Sequence, residues 1–99
     1  MFANYDFYCN DYCMGRCPQI LEDVFAFYEK EARRSLDYHT MERASYQMNQ
    51  LNHNENKNKI SEATCAVAEH LYNGGSDNDR KIKDILGTYL AHTGLLFRG

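Results

Sequence analysis

Cys9, Cys13 and Cys17 recur at every fourth position near the start of the chain. Thiolates are soft ligands, and zinc is the metal such a set would take. On a continuous helix, side chains four apart share a face, so the three thiols would line up. Gly15 and Pro18 argue against a helix that runs on through Cys17. Zinc sites more often use closer pairs of thiols followed by a second pair, and a fourth ligand here would have to come from Cys65, His39 or His53. A disulfide is disfavoured in a cytoplasmic protein, and free, partly buried thiols are the ordinary state of such residues. The zinc reading stands as the alternative: a small interaction module on Cys9, Cys13 and Cys17 whose fold a chelator would undo.

Other chemistry is thinly represented. His53 and Glu55 lie in the stretch 52–58, Asn-His-Asn-Glu-Asn-Lys-Asn, which reads as a solvated polar loop before it reads as a metal site. Asp37 has no His and Ser at a spacing that fixes a triad. There is no phosphate-binding glycine loop, no His-Glu-x-x-His motif and no nucleophile elbow. Gly74-Gly75 follows a helical pattern rather than a strand, the wrong context for phosphate. The expectation is a protein that is not an enzyme and that uses no cofactor.

The elements that must position these residues are helices. Ninety-nine residues make one small domain, which buries roughly 60–65% of its unfolded surface. Apolar residues make up 43% of the chain and fall in periodic runs, and there is a single proline. An all-α fold follows: about four helices in a bundle, with short polar links and an apolar C-terminal tail. No run approaches the roughly twenty apolar residues of a membrane span. The first residues show no basic region followed by an apolar stretch, so synthesis in the cytoplasm is expected. A net charge of −3 argues against a conventional nucleic-acid binder, which carries a basic patch.

Residues 1–17 read as an aromatic, cysteine-rich arm. Asn4 is a candidate N-cap, and Tyr5, Tyr8 and Tyr12 are spaced as on a helix over residues 4–13. Such an arm either packs on the bundle or offers Tyr5, Phe7 and Tyr8 to a neighbouring subunit, where aromatic residues are enriched. The first long helix is predicted over residues 18–40, with Pro18 at its first position. Its inward stripe is Leu21, Val24, Phe25, Tyr28, Ala32, Leu36 and His39, and Glu29, Lys30, Arg33 and Arg34 fall on other faces. Arg33 and Arg34 are either solvated or docked on an acidic neighbour. Residues 41–51 extend that helix or form an irregular link. The next helix is predicted over residues 58–72, with Ile60, Ala63, Thr64, Val67 and Leu71 inward. Its small residues Cys65, Ala66 and Ala68 permit close approach, which makes it the central helix. Asn73-Gly74-Gly75 stops it, and the aspartates at 77 and 79 are candidate caps for the last helix.

The last helix carries Ile82, Ile85, Leu86, Tyr89 and Leu90 on one face. Gly94 sits where a left-handed residue is expected after a helix end. Leu95 and Leu96 can then fold back on the last turn, or the tail Leu95, Leu96, Phe97 and Arg98 can dock on another subunit.

Residues 89–99, Tyr-Leu-Ala-His-Thr-Gly-Leu-Leu-Phe-Arg-Gly, resemble the C-terminus of the small head-tail connector (adaptor) proteins of tailed bacteriophages and prophages. The likeness continues upstream in the family's order. Phe25, Tyr28, Ala32, Ser35, Leu36, Asp37, Thr40 and Arg43 resemble its first long helix, although two arginines separate the Ala and Ser here. Ile60, Ala63, Cys65, Ala66, Ala68, Glu69, Leu71 and Tyr72 resemble its next helix, and Tyr5-Asp6-Phe7-Tyr8 its opening Tyr-x-x-Tyr. Two features depart from the family: the cysteine cluster, and a short Gly-Gly-Ser-Asp-Asn-Asp link where many connectors carry a longer, strand-like insertion.

The resemblance implies a structural protein of the virion's head-tail junction, made in the host bacterial cytoplasm. Copies would form a ring, expected to be dodecameric, on the portal protein. The ring would meet a tail-proximal connector or stopper protein and let DNA pass without specific binding, with no part for a membrane. Contact residues on that reading are Tyr5, Phe7, Tyr8, Arg33, Arg34, Arg43, Leu95, Leu96, Phe97 and Arg98. A small acidic inhibitor of a host protein is a further alternative.

Overall fold

A computed structural model describes residues 1–49, 55–76, 80–91 and 93–95 of the chain. These residues form helices and connecting turns, with no strand among them. The all-α expectation is met.

The arm folds as its sequence suggests. Asn4 is extended, and its side-chain oxygen accepts from the Phe7 N–H at 2.7 Å, capping helix α1 (Tyr5–Phe7). The chain continues into a wider π turn, Tyr8–Tyr12, closed by the Cys13 N–H on the Tyr8 carbonyl at 2.8 Å. Met14 and Gly15 then take left-handed conformations and reverse the chain. The returning segment is pinned to the arm. The Tyr5 hydroxyl donates to the Ile20 carbonyl at 2.9 Å, and the Ile20 N–H donates to the Tyr8 hydroxyl at 3.1 Å.

That pinning corrects the expected start of the first long helix. Helix α2 spans Glu22–Thr40, with Leu21 as its extended N-cap residue, so Pro18 lies outside it. The buried Ile20 gives its carbonyl to the Tyr5 hydroxyl rather than to a helix N–H, and the first helical N–H groups, of Val24 and Phe25, turn to the Leu21 carbonyl. Glu22 and Asp23 occupy the first turn, where carboxylates complement the helix dipole.

The inward face of α2 is also rotated from the expected one. Phe25, Ala32 and Leu36 are buried, and Tyr28 packs half-buried against the core, as predicted. Leu21 and Val24, expected inward, are exposed. Glu29, expected on an outer face, is fully buried. Its Oε2 accepts from the Phe2 main-chain N–H at 2.8 Å, while the Ser61 hydroxyl donates to the Phe2 carbonyl at 2.6 Å. The two main-chain polar groups of Phe2 are thus satisfied by two helices, which lets Phe2 and Ala3 enter the core. Arg33 lies 3.7 Å from the other carboxylate oxygen of Glu29 and offsets part of the cost of burying that charge.

Residues 41–49 resolve as a left-handed corner and a separate short helix, α3 (Arg43–Met48). Met41 and Glu42 both have positive φ, and side chains of α2 hold the corner. Thr40 donates to the Leu36 carbonyl and accepts from the Ala44 N–H. Asp37 accepts from both the main-chain N–H and the hydroxyl of Ser45, at 3.1 and 2.6 Å. Asp37 is therefore a clamp between two helices.

Helix α4 (Glu55–Tyr72) starts earlier than predicted, so Asn56, Lys57 and Asn58 are helical rather than loop. Residues 51–54, including His53, lie outside the described residues. Helix α4 is central, as its small residues suggested: it packs on α2, α3, the π turn and α5. Ile60, Ala63, Thr64, Cys65, Val67 and Ala68 are buried along it, whereas Leu71 is only half-buried. The two glycines that follow have separate reasons. Gly74 is left-handed, and a Cβ on Gly75 would overlap the His70 ring. Helix α5 (Arg80–Leu90) buries Ile82, Leu86 and Leu90, each contributing roughly 1.5–3 kcal/mol. Thr93 accepts from the Leu95 N–H at 3.1 Å and donates to the Leu90 carbonyl at 2.9 Å. Gly94 is left-handed, as expected, and the turn drives Leu95 into the core. The caps expected at 77 and 79 lie outside the described residues.

Candidate functional site

Cys9 lies on the π turn and Cys13 closes it, both half-buried, and Cys17, beyond the reversal at Met14-Gly15, is exposed. Among the described residues no three His, Cys, Asp or Glu side chains converge on a metal-sized site. Cys13 instead opens onto a cleft of about 520 Å³ shared with Tyr12, Cys17, Glu62, Glu69 and Tyr89. Cys65 lies buried on α4. Burial pushes the Cys13 thiol up from its ordinary pKa, against a smaller opposing effect of the hydrogen bond with Tyr8. Burial pushes Cys65 up further, reinforced by Cys13 and nearby carboxylates including Glu69. Both shifts disfavour the thiolate, the form that acts as nucleophile and metal ligand.

Tyr8 is the polar hub of this region. It is fully buried, and its hydroxyl donates to Glu69 Oε2 at 2.8 Å while accepting from the Ile20 N–H. Burial first, and then Glu69, push its pKa well up, despite the opposing Ile20 hydrogen bond. Tyr12 is shifted the same way by burial, with Tyr89 and Glu69 adding to it. These shifts give stability a definite pH dependence. A group whose folded pKa lies above its unfolded value stabilises fully below the unfolded value and less as pH rises past it. For Cys65 and Tyr8 the unfolded values are about 8.5 and 10, and the slope reaches about 1.4 kcal/mol per pH unit per group. The urea midpoint should therefore hold up to about pH 8, fall above about pH 9 and steepen above about pH 10. A Cys65→Ala chain should hold level to about pH 10 and decline less steeply above it. A midpoint that stays level through this range would contradict the buried placement of both groups.

The aromatic contact residues suggested by the sequence turn inward. Tyr8 is a core residue and not a surface for a neighbour. Its ring stacks on Phe25 with centroids 4.9 Å apart. Tyr5 sits edge-on to Phe25 at 5.4 Å, and both Tyr5 and Phe7 are half-buried against the core. Leu95 is likewise a core residue at 3% exposure. Arg33 is committed to Glu29. Arg34 and Arg43 remain exposed, and Arg43 also reaches the Gly94 carbonyl at 3.4 Å, tying α3 to the final turn. Leu96, Phe97 and Arg98 lie outside the described residues.

The structure adds a surface that the sequence reading missed. Val24, Phe27 and Tyr38 are exposed along one side of α2, and Met41 is exposed at the left-handed corner that follows it. The signal is a second set of residues spaced three and four apart, hidden because Val24 also fits the inward stripe.

The fold defines a class: a small all-α bundle with its N-terminal arm sealed into the core and one apolar helix face left open. Comparison of the chain with family models, curated proteins and solved structures returns no match.

Proposed function

We propose that this chain is a structural head-tail connector subunit of a tailed bacteriophage or prophage. Copies assemble head-to-tail as a ring on the portal and extend the DNA channel toward a tail-proximal connector or stopper protein. The observation that carries this reading is the C-terminal sequence from Tyr89 to Gly99, together with the helix motifs that precede it in the connector order. The architecture is compatible with it. An all-α body with a clamped arm and corner is a rigid building block, and ring closure needs two different complementary faces on such a block. Arg43 is exposed for those contacts, and a net charge of −3 gives a lining little hold on DNA phosphates.

The test is assembly on the portal of the same genome. The purified chain, mixed with preformed portal rings, should co-sediment with them, and native mass spectrometry should show multiple copies per ring. Weak self-association without the portal is expected, since the portal raises the local concentration. Absence of any portal complex at about millimolar chain would sink the connector reading.

A further inference from the structure

The open face of α2 has a regular pattern. Val24, Phe27, Glu31, Arg34 and Tyr38 follow one another at spacings of three, four, three and four, all within α2. That is the a/d pattern of a helix-pairing seam. Its three apolar members are exposed: 38% for Val24, 59% for Phe27 and 78% for Tyr38. Apolar side chains scattered singly on a surface need no explanation; a row of them along one helix face marks a contact surface. Glu31 and Arg34 occupy the middle, 3.7 Å apart, with Arg34 the more exposed. Shallow hollows open on either side of that centre, one beside Phe27 and Glu31, the other beside Arg34, Tyr38 and Met41.

The order of these residues identifies the occupant. Place a two-fold axis midway between Glu31 and Arg34, with a second α2 running antiparallel. Each Glu31 then meets the partner's Arg34 and each Phe27 the partner's Tyr38, with Val24 at the end of the seam. Each ring finds a ring, each charge finds its opposite, and each hollow faces the other kind. The parallel arrangement fails, because it sets Glu31 on Glu31 and Arg34 on Arg34. A self-complementary patch about a dyad is the signature of an isologous dimer. We infer that a second copy of this chain docks antiparallel on the outer face of α2 through this five-residue seam. The inference stands on α2 alone and needs nothing from the connector reading.

Charge reversal tests it without a portal. Sedimentation velocity of the full chain from micromolar to about millimolar concentration should show a reversible dimer. Glu31→Lys places two cations across the dyad, and Arg34→Glu places two anions there. Each variant should weaken dimerisation by at least about tenfold while keeping the helical circular dichroism of the parent. Mixed together, the two variants should recover a heterodimer, because every cross-dyad pair is again of opposite sign. A monomeric parent chain, a dimer indifferent to both reversals, or two variants that stay monomeric on mixing would each overturn the proposal. A parent chain that stays monomeric while another protein occupies the seam would overturn it equally.

Discussion

Phe25→Ala is expected to destabilise the fold by about 3–5 kcal/mol. Phe25 is 2% exposed and is the residue on which the arm closes. The Tyr8 ring stacks on it at 4.9 Å and the Tyr5 ring meets it edge-on at 5.4 Å. Truncating it removes the transfer free energy of the ring and leaves a hole that Tyr8 cannot fill, because the Tyr8 hydroxyl is tied to Glu69 and Ile20. A domain of this size has roughly 5–15 kcal/mol in total, so the loss is a large fraction of it. Thermal unfolding should drop by at least about 12 °C. Phe27→Ala is the control. It sits two residues along the same helix but is 59% exposed, and at concentrations where the chain is monomeric it should cost less than about 0.5 kcal/mol. Equal losses at the two positions would show that the inward face of α2 is not the one described.

That pair of residues also marks what was legible in the sequence. Helical spacing found the buried faces of α4 and α5, because those helices have one apolar side each. Helix α2 has two, one for the core and one for the open seam, and periodicity alone cannot say which is which. Leu21 and Val24 fit the inward stripe by spacing alone for that reason. Glu29 is hidden from local pattern for another. A carboxylate on a helix reads as a solvent-facing group, and the partner that permits its burial is a main-chain N–H 27 residues away, which no local pattern encodes. Tyr8 shows the limit for depth. Its spacing from Tyr5 and Tyr12 placed it on one side of the arm, but its full burial depends on Ile20 folding back over it. The local signals fared better, since a cap needs only its neighbours: Asn4 and Gly94 do what their residue types suggested.

The last turn separates folding from docking in a single experiment. Ending the chain after Leu95 should leave stability nearly unchanged, because Leu95 itself is retained with its hydrogen bond to Thr93. Ending it after Gly94 removes a side chain that is 3% exposed, and the cost should approach the roughly 2–5 kcal/mol of a buried leucine truncation. Denaturant melts of the two chains measure that difference directly. The portal assay then reads the other half. If Leu96, Phe97 and Arg98 form the docking group, the chain ending at Leu95 should be folded yet weaker for the portal by at least about tenfold, since a few clustered aromatic and arginine side chains carry most of an interface's affinity. Full portal affinity in that folded chain would remove the tail from the interface and leave docking to the exposed Arg43 of α3. Loss of affinity only in the chain ending at Gly94 would mean that the final turn acts by holding the bundle together, with Leu95 as its anchor.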